Sequence, residues 1–139
     1  MQTKGATKRT TTTDPRRRIG AAGEAIAGRH LEALGHLIIT RNARTRYGEI
    51  DLISVDPGVS ALVFTEVKTA RRRNDGGFLD PLLSVTPRKA LQVRRLARAW
   101  IATTEPPPGY CEAIRFDVIA IVVNSDLEPF RLEHIEAAF

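Results

Sequence analysis

The sequence predicts an α/β domain in which a mixed sheet is flanked by helices. Three observations carry that expectation. Two amphipathic helical stretches and five short runs rich in Ile, Leu and Val follow one another in the order α-β-β-β-α-β-β. The central hairpin is largely apolar on both faces, as a sheet covered on both sides requires. The 139 residues, 42% hydrophobic and 27% charged, suffice for one core, which points to a single domain with a short tail.

Each element has its own signal. Met1–Arg18 holds almost nothing to bury and reads as a disordered basic arm, leaving residues 19–139 as the folded domain. Ile19, Ala22, Gly23, Ile26, Ala27, His30 and Leu34 recur at helical spacing, and Gly35 supplies a C-terminal cap. On this stripe His30 reads as a packed core residue rather than a ligand. Leu37–Arg41, Glu49–Val55 and Ala61–Lys68 read as strands, the last two joined by a turn at Asp56-Pro57-Gly58. A loop, Thr69–Asp80, carries Arg71-Arg72-Arg73 and Gly76-Gly77. Thr86-Pro87 is an N-cap followed by proline at the first helical position. The helix it opens runs to about Thr103, buries Val93, Leu96, Ala97 and Trp100, and is ended by Pro106-Pro107-Pro108-Gly109. Ala113–Val123 is a long strand and Phe130–His134 an edge strand.

Charge and rare residues exclude several classes. Lys and Arg outnumber Asp and Glu by 21 to 16, but Glu105–Phe139 alone is net negative, so the basic side lies in the first two-thirds of the chain. A polyanionic partner fits there. One cysteine, Cys111, rules out an intrachain disulfide and a Cys-rich zinc site, and fits a reducing compartment. The three histidines, His30, His36 and His134, lack zinc-ligand spacing. No apolar run approaches the ~18 residues of a membrane span, and Met1–Arg18 lacks the apolar core of a secretory signal. The expectation is a cytoplasmic protein that does not enter membranes.

The hairpin carries the chemistry. With its turn centred between Gly58 and Val59, Asp51 faces Glu66, Glu49 faces Lys68, Ile53 faces Phe64 and Val55 faces Leu62, all on one face of the pleat. Ile50, Leu52, Val63 and Val67 form the other face. Directly opposed Asp51 and Glu66 would have β-carbons about 5 Å apart. Carboxylates ~4 Å apart repel by about 4 kcal/mol at an effective dielectric near 20. Lys68 relieves part of this, and a divalent cation relieves more, since Mg²⁺ takes one or two carboxylates plus water. Ion pairs at a strand end, such as Glu49 with Lys68, are the plainer alternative. Glu24 adds an acid on the first helix beside Gly20 and Gly23, where small residues allow close approach to a sheet. Arg88 and Lys89 stand in the first turn of the second helix, where the macrodipole disfavours cations unless an anion such as phosphate binds.

Gly20-Ala21-Ala22-Gly23-Glu24, Arg41-Asn42-Ala43-Arg44, Gly48-Glu49-Ile50-Asp51-Leu52-Ile53, Phe64-Thr65-Glu66-Val67-Lys68, Val85-Thr86-Pro87-Arg88-Lys89, Arg115-Phe116-Asp117-Val118 and Ala138-Phe139 together resemble the YraN-type family of bacterial proteins. That family is placed in the PD-(D/E)XK, restriction-endonuclease-like superfamily, near the archaeal Holliday-junction resolvases. The resemblance runs from Ile19 to Phe139 and leaves out the basic arm. It implies a restriction-endonuclease-like αβββαβ core with a mixed central sheet, and a metal-dependent endonuclease acting on DNA. By position, Asp51 and Glu66 match the metal-binding acids, with the Val67 carbonyl as a third ligand. Lys68 matches the catalytic lysine, Glu24 the helix acid that completes the site, and Lys89 a basic position on the second core helix. Thr65 departs from the family, which has an apolar residue there, and so does Leu82-Leu83, where an acid or alanine is more usual.

The expected mechanism is phosphodiester hydrolysis with Mg²⁺, or Mn²⁺ in its place, held by Asp51, Glu66, Val67 and Glu24. Lys68 offsets developing charge, and Glu49 steers Lys68. Arg44, Arg46, Arg71, Arg72, Arg73, Arg88, Lys89 and Arg95 are the candidates for backbone phosphate contacts, which give affinity without sequence preference. Two Tyr, one Trp and five Phe offer no stacking platform, which favours duplex or branched DNA over single strands. Cutting a junction calls for a homodimer with two sites. Two rivals remain: a nuclease-fold module that binds nucleic acid or protein without cutting, and a small-molecule hydrolase.

Overall fold

A computed structural model describes residues 14–104 and 111–139. Its elements are α1 (Pro15–Ala33), β1 (Leu37–Thr45), β2 (Gly48–Asp56), β3 (Ala61–Arg71), a 3-10 turn at Pro81–Ser84, α2 (Pro87–Thr103), β4 (Ala113–Val123) and β5 (Pro129–Ile135). One sheet holds the strands in chain order, β3 and β4 parallel and the other neighbours antiparallel. A parallel neighbour needs a crossover, and α2 supplies it. The αβββαβ order is therefore present, mixed sheet included, with β5 added at one edge.

The helix ends follow local chemistry. The Asp14 side chain accepts from the Arg16 N–H at 3.0 Å and Pro15 takes the first helical position. So α1 begins four residues ahead of Ile19, and Arg16, Arg17 and Arg18 belong to the helix rather than to an arm. The remainder of the expected arm, residues 1–13, lies outside the described residues, as does the Pro106–Gly109 stop. At the other end of α1, Gly35 takes φ 92° and the His36 N–H reaches the Leu31 carbonyl at 3.0 Å, closing a left-handed cap. Thr86 caps α2, its hydroxyl accepting from the Lys89 N–H at 3.2 Å. β3 continues to Arg71, three residues beyond the expected end, because β4 pairs with it along its whole length.

Two cores cover the sheet. On one face Ile26, Ala27 and Leu31 of α1 pack on Leu52, Ile119, Ile121 and Val123. On the other, Leu96, Ala97 and Trp100 of α2 pack on Ala43, Ile50, Ile53, Leu62 and Phe64. Phe64 meets Trp100 edge-on, ring centres 5.8 Å apart. Full burial of each large side chain contributes roughly 1.5–3 kcal/mol. Thr65 is buried without a hydrogen-bond partner for its hydroxyl among the described residues.

Polar groups tie the α1 side together. Ser54 Oγ lies 2.9 Å from His36 Nδ1, and His36 Nε2 lies 3.5 Å from Asp56. Arg115 donates to Asp56 at 3.1 Å and to both oxygens of Asp117 at 2.8 and 3.0 Å. His134 Nε2 lies 2.8 Å from Asp117, and its Nδ1 lies 3.0 Å from His30 Nε2. His30 is thus half-buried at the end of a hydrogen-bonded chain, not simply packed. No helix among the described residues is long and apolar enough to cross a membrane.

Candidate functional site

The β2–β3 hairpin pairs Asp56 with Ala61, Val55 with Leu62, Ile53 with Phe64 and Leu52 with Thr65, the expected register. There the ladder stops. Asp51 and Glu66 are not backbone partners, and the reason lies in β1. Residues two apart in a strand share a face, yet Leu52 packs with α1 while Ile50 packs with α2. On β1, Arg41 reaches α1 at Gly28 while Ala43 packs with α2. Between Arg41 and Ala43, Asn42 takes φ 50°, a conformation that asparagine tolerates better than most residues. Arg41 pairs with Leu52 and Ala43 with Ile50, so Asn42 and Asp51 mark one break in alternation on two adjacent strands. The freed Asp51 carboxylate then accepts from the Val67 N–H at 2.8 Å, standing in for the missing ladder acceptor.

Around that break the charged groups gather. Glu66 is buried, and its Oε1 lies 3.3 Å from Lys68 Nζ and 3.1 Å from Lys89 Nζ. Burial, then the charges of Glu66 and Glu24, push the Asp51 carboxyl up to about 7, against the Val67 hydrogen bond and Lys89. Glu24 reaches the cluster because Gly23 lets α1 lie on β3, where any β-carbon would collide with the Thr69 side chain. Burial raises the Glu24 carboxyl too, with Glu49 and Glu66 adding to it and a hydrogen bond from Asn42 opposing. Among the described residues no three His, Cys, Asp or Glu side chains close into a ready coordination shell. The assembled core is an Asp51–Glu66 pair with Glu24 beside it and two lysines.

The other expected residues fall into groups. Glu49 does not steer Lys68; its carboxylate pairs with Arg44 at 3.1 Å, because β2 has parted from β3 while β1 still runs alongside it. Lys89 belongs to the cluster, so the anion that compensates a cation in the first turn of α2 is Glu66. Arg95 and Arg46 stack over the Tyr47 ring at 3.9 and 5.1 Å. Arg72 stacks on Phe130 at 4.1 Å, and Arg73 lies 3.6 Å from Asp75. Arg71, at the end of β3, and Arg88 are exposed. Sequence reasoning quotes Asn42 within the Arg41–Arg44 motif but gives it no role. An asparagine between Arg41 and Ala43 in a strand-like run is the available signal.

Fold and cluster together define a small α/β protein with acids and lysines gathered where its sheet breaks. A model of the uncharacterised protein family UPF0102 matches residues 23–121, and the chain belongs to that family. The match spans Glu24, Asp51, Glu66, Lys68 and Lys89. The UPF0102 protein of Acidothermus cellulolyticus is 43% identical over 136 residues, covering 92% of this chain and 98% of its own. That of Chlorobaculum parvum is 42% identical over 125 residues (87% and 91%), and that of Mycolicibacterium smegmatis 40% over 114 (82% and 87%).

Proposed function

We propose that this chain is a metal-dependent endonuclease that hydrolyses DNA phosphodiester bonds, on duplex or branched, Holliday-junction-like DNA, in the cytoplasm. The observation that supports it most is the Asp51 carboxylate. It is turned out of the strand, desolvated and set among acids, so that it holds a proton up to about pH 7 unless a cation relieves it. The donors are hard oxygens, which suits Mg²⁺ or Mn²⁺. Val67 adds another: the N–H and C=O of one strand residue point to the same neighbour, so its carbonyl opens on the gap that holds Asp51. Asp51, Glu66 and the Val67 carbonyl would hold the ion, with Glu24 alongside. Bound there, it would polarise the phosphate and acidify a water.

The chain's own groups do the rest. Lys68 brings positive charge to the phosphate oxygens as they gain negative charge, an interaction strongest in the transition state. Glu24 accepts a hydrogen bond from water at the rim and orients it. Linear, nicked and four-way-junction DNA, incubated with Mg²⁺, Mn²⁺ or EDTA, tests the reading. Cleavage is expected only with metal, and Glu66→Ala or Lys68→Ala should reduce it at least ~100-fold, the order seen on removing one electrostatic group, with the fold intact. Undiminished cleavage by either purified variant overturns the assignment.

A second reading has its own support. Lys68 and Lys89 already neutralise Glu66, which suits a nuclease-fold module that binds DNA without cutting it. Such a module binds equally in EDTA and leaves every substrate whole. For junction cutting the reading also implies a homodimer, to be checked by sedimentation with and without a four-way junction.

A further inference from the structure

We infer that duplex nucleic acid docks on the α1 side of the molecule, its phosphodiester backbone following a groove between α1 and the rim of the sheet, with guanidinium groups on both sides of Glu24. The ligand class rests on the nuclease reading; the face and the residues do not follow from it. Two open depressions meet at Glu24. One, of about 390 Å³, runs past Ala21 and Ala25 to Arg29, Arg41 and Asn42. The other, of about 340 Å³, runs past Gly20 and Thr69 to Arg16 and Arg71.

The groove follows from the helix sequence. Arg16, Gly20 and Glu24 recur every four residues and so share a stripe of α1. Gly20, Ala21 and Ala25 keep the floor low. From Arg16 to Arg29 the helix rises about 20 Å, and one DNA strand carries a phosphate every ~3.4 Å of axis, so about six phosphates span that length. Arg41 is held in place, its guanidinium against Gly28 and its Nη2 3.0 Å from Glu32. Glu24 is the acid on the groove floor, midway between the arginines, where a cation belongs between it and a phosphate.

Toward α2 the cations are already engaged: Arg44 is paired with Glu49, Arg46 and Arg95 stack on Tyr47, and Lys89 is bound to Glu66 inside the acid cluster. Of the groove arginines the sequence alone points to Arg71. It places Arg16 in the arm and gives Arg29 and Arg41 no role.

Binding of a 30-base-pair duplex to the full chain, measured in EDTA across a salt series, tests the placement apart from catalysis. Arg16→Gln, Arg29→Gln and Arg71→Gln together should weaken binding at least ~tenfold and flatten the log–log salt slope by about 0.9 for each phosphate no longer neutralised. The matched triple Arg44→Gln, Arg46→Gln, Arg95→Gln, whose guanidinium groups are already paired or stacked, should leave the slope near that of the unaltered protein. An unchanged slope in the groove variant, or the weakening appearing in the matched triple instead, overturns the placement alone. Failure of the unaltered protein to bind duplex at any salt overturns both the placement and the nuclease reading beneath it.

Discussion

Asp117 and Asp51 are both carboxylates drawn out of water, and the protein treats them in opposite ways. Asp117 is fully buried, and burial alone would raise its proton affinity. Donors from His134, Arg115 and the Ala137 N–H reverse this and hold its carboxyl below the usual range. Asp51 has the Val67 N–H, but Glu66 and Glu24 are its neighbours, and it rises to about 7. A buried charge with its hydrogen bonds filled ties α1, β2, β4 and β5 into one body. A half-buried charge left among its own kind is destabilising, and the surrounding fold has to hold it there. That contrast separates the network that builds the molecule from the strained cluster where the sheet breaks.

The contrast breaks most visibly at Asp117. Asp117→Ala leaves Arg115 without its two-pronged partner and is expected to cost about 3–5 kcal/mol, read by urea unfolding at pH 7. A loss below about 1 kcal/mol, the level of a surface pair, would erase the distinction. Asp51→Asn should change stability in the other direction. The folded chain binds the Asp51 proton more tightly than the unfolded chain, where aspartate titrates near ~3.9. The Asp51 contribution to stability therefore falls as pH rises from about 4 to about 7 and stays low above that. Asparagine keeps an oxygen for the Val67 N–H and removes the charge. The variant should be more stable than wild type by up to about 4 kcal/mol at pH 8 and by little at pH 4, and an equal difference at both pH values would contradict the account. Smallest of all is Glu49→Gln. Its pair with Arg44 is exposed, so unfolding should move by no more than about 0.5 kcal/mol, and a larger loss would return Glu49 to the cluster.

What can be read from the sequence is local. Thr86-Pro87 and the apolar run Ala113–Val123 announce α2 and β4 to the residue, and the turn after Asp56 sets the hairpin register as far as Leu52. The break beyond Leu52 cannot be read there, because it depends on Asn42 in a neighbouring strand whose apolar pattern stops at Arg41. Arg44 falls outside that pattern too, so its claim on Glu49 goes unseen. The start of α1 is hidden differently. Asp14-Pro15 is a sound helix opening, but the arginines that follow offer nothing to a core. His30 and His134 meet across 104 residues, a contact with no local trace. The acids and Lys68 are found because their types and strand positions suffice, whereas their electrostatics need the tertiary break.

Strand β3 waits for its partner. It ends at Arg71, and β4 begins only at Ala113, so β1, β2 and β3 can form a meander while one side of β3 stays open. Pairing of segments so distant in the chain is slow, and an open apolar edge invites strands from other molecules. Along that edge Glu66, Lys68 and Arg71 interrupt the run of Val and Phe, so an intruding strand would have to bury their charges. Glu66 and Lys68, which crowd the cluster in the finished molecule, are thus also the charges that make the open edge a poor template for another strand.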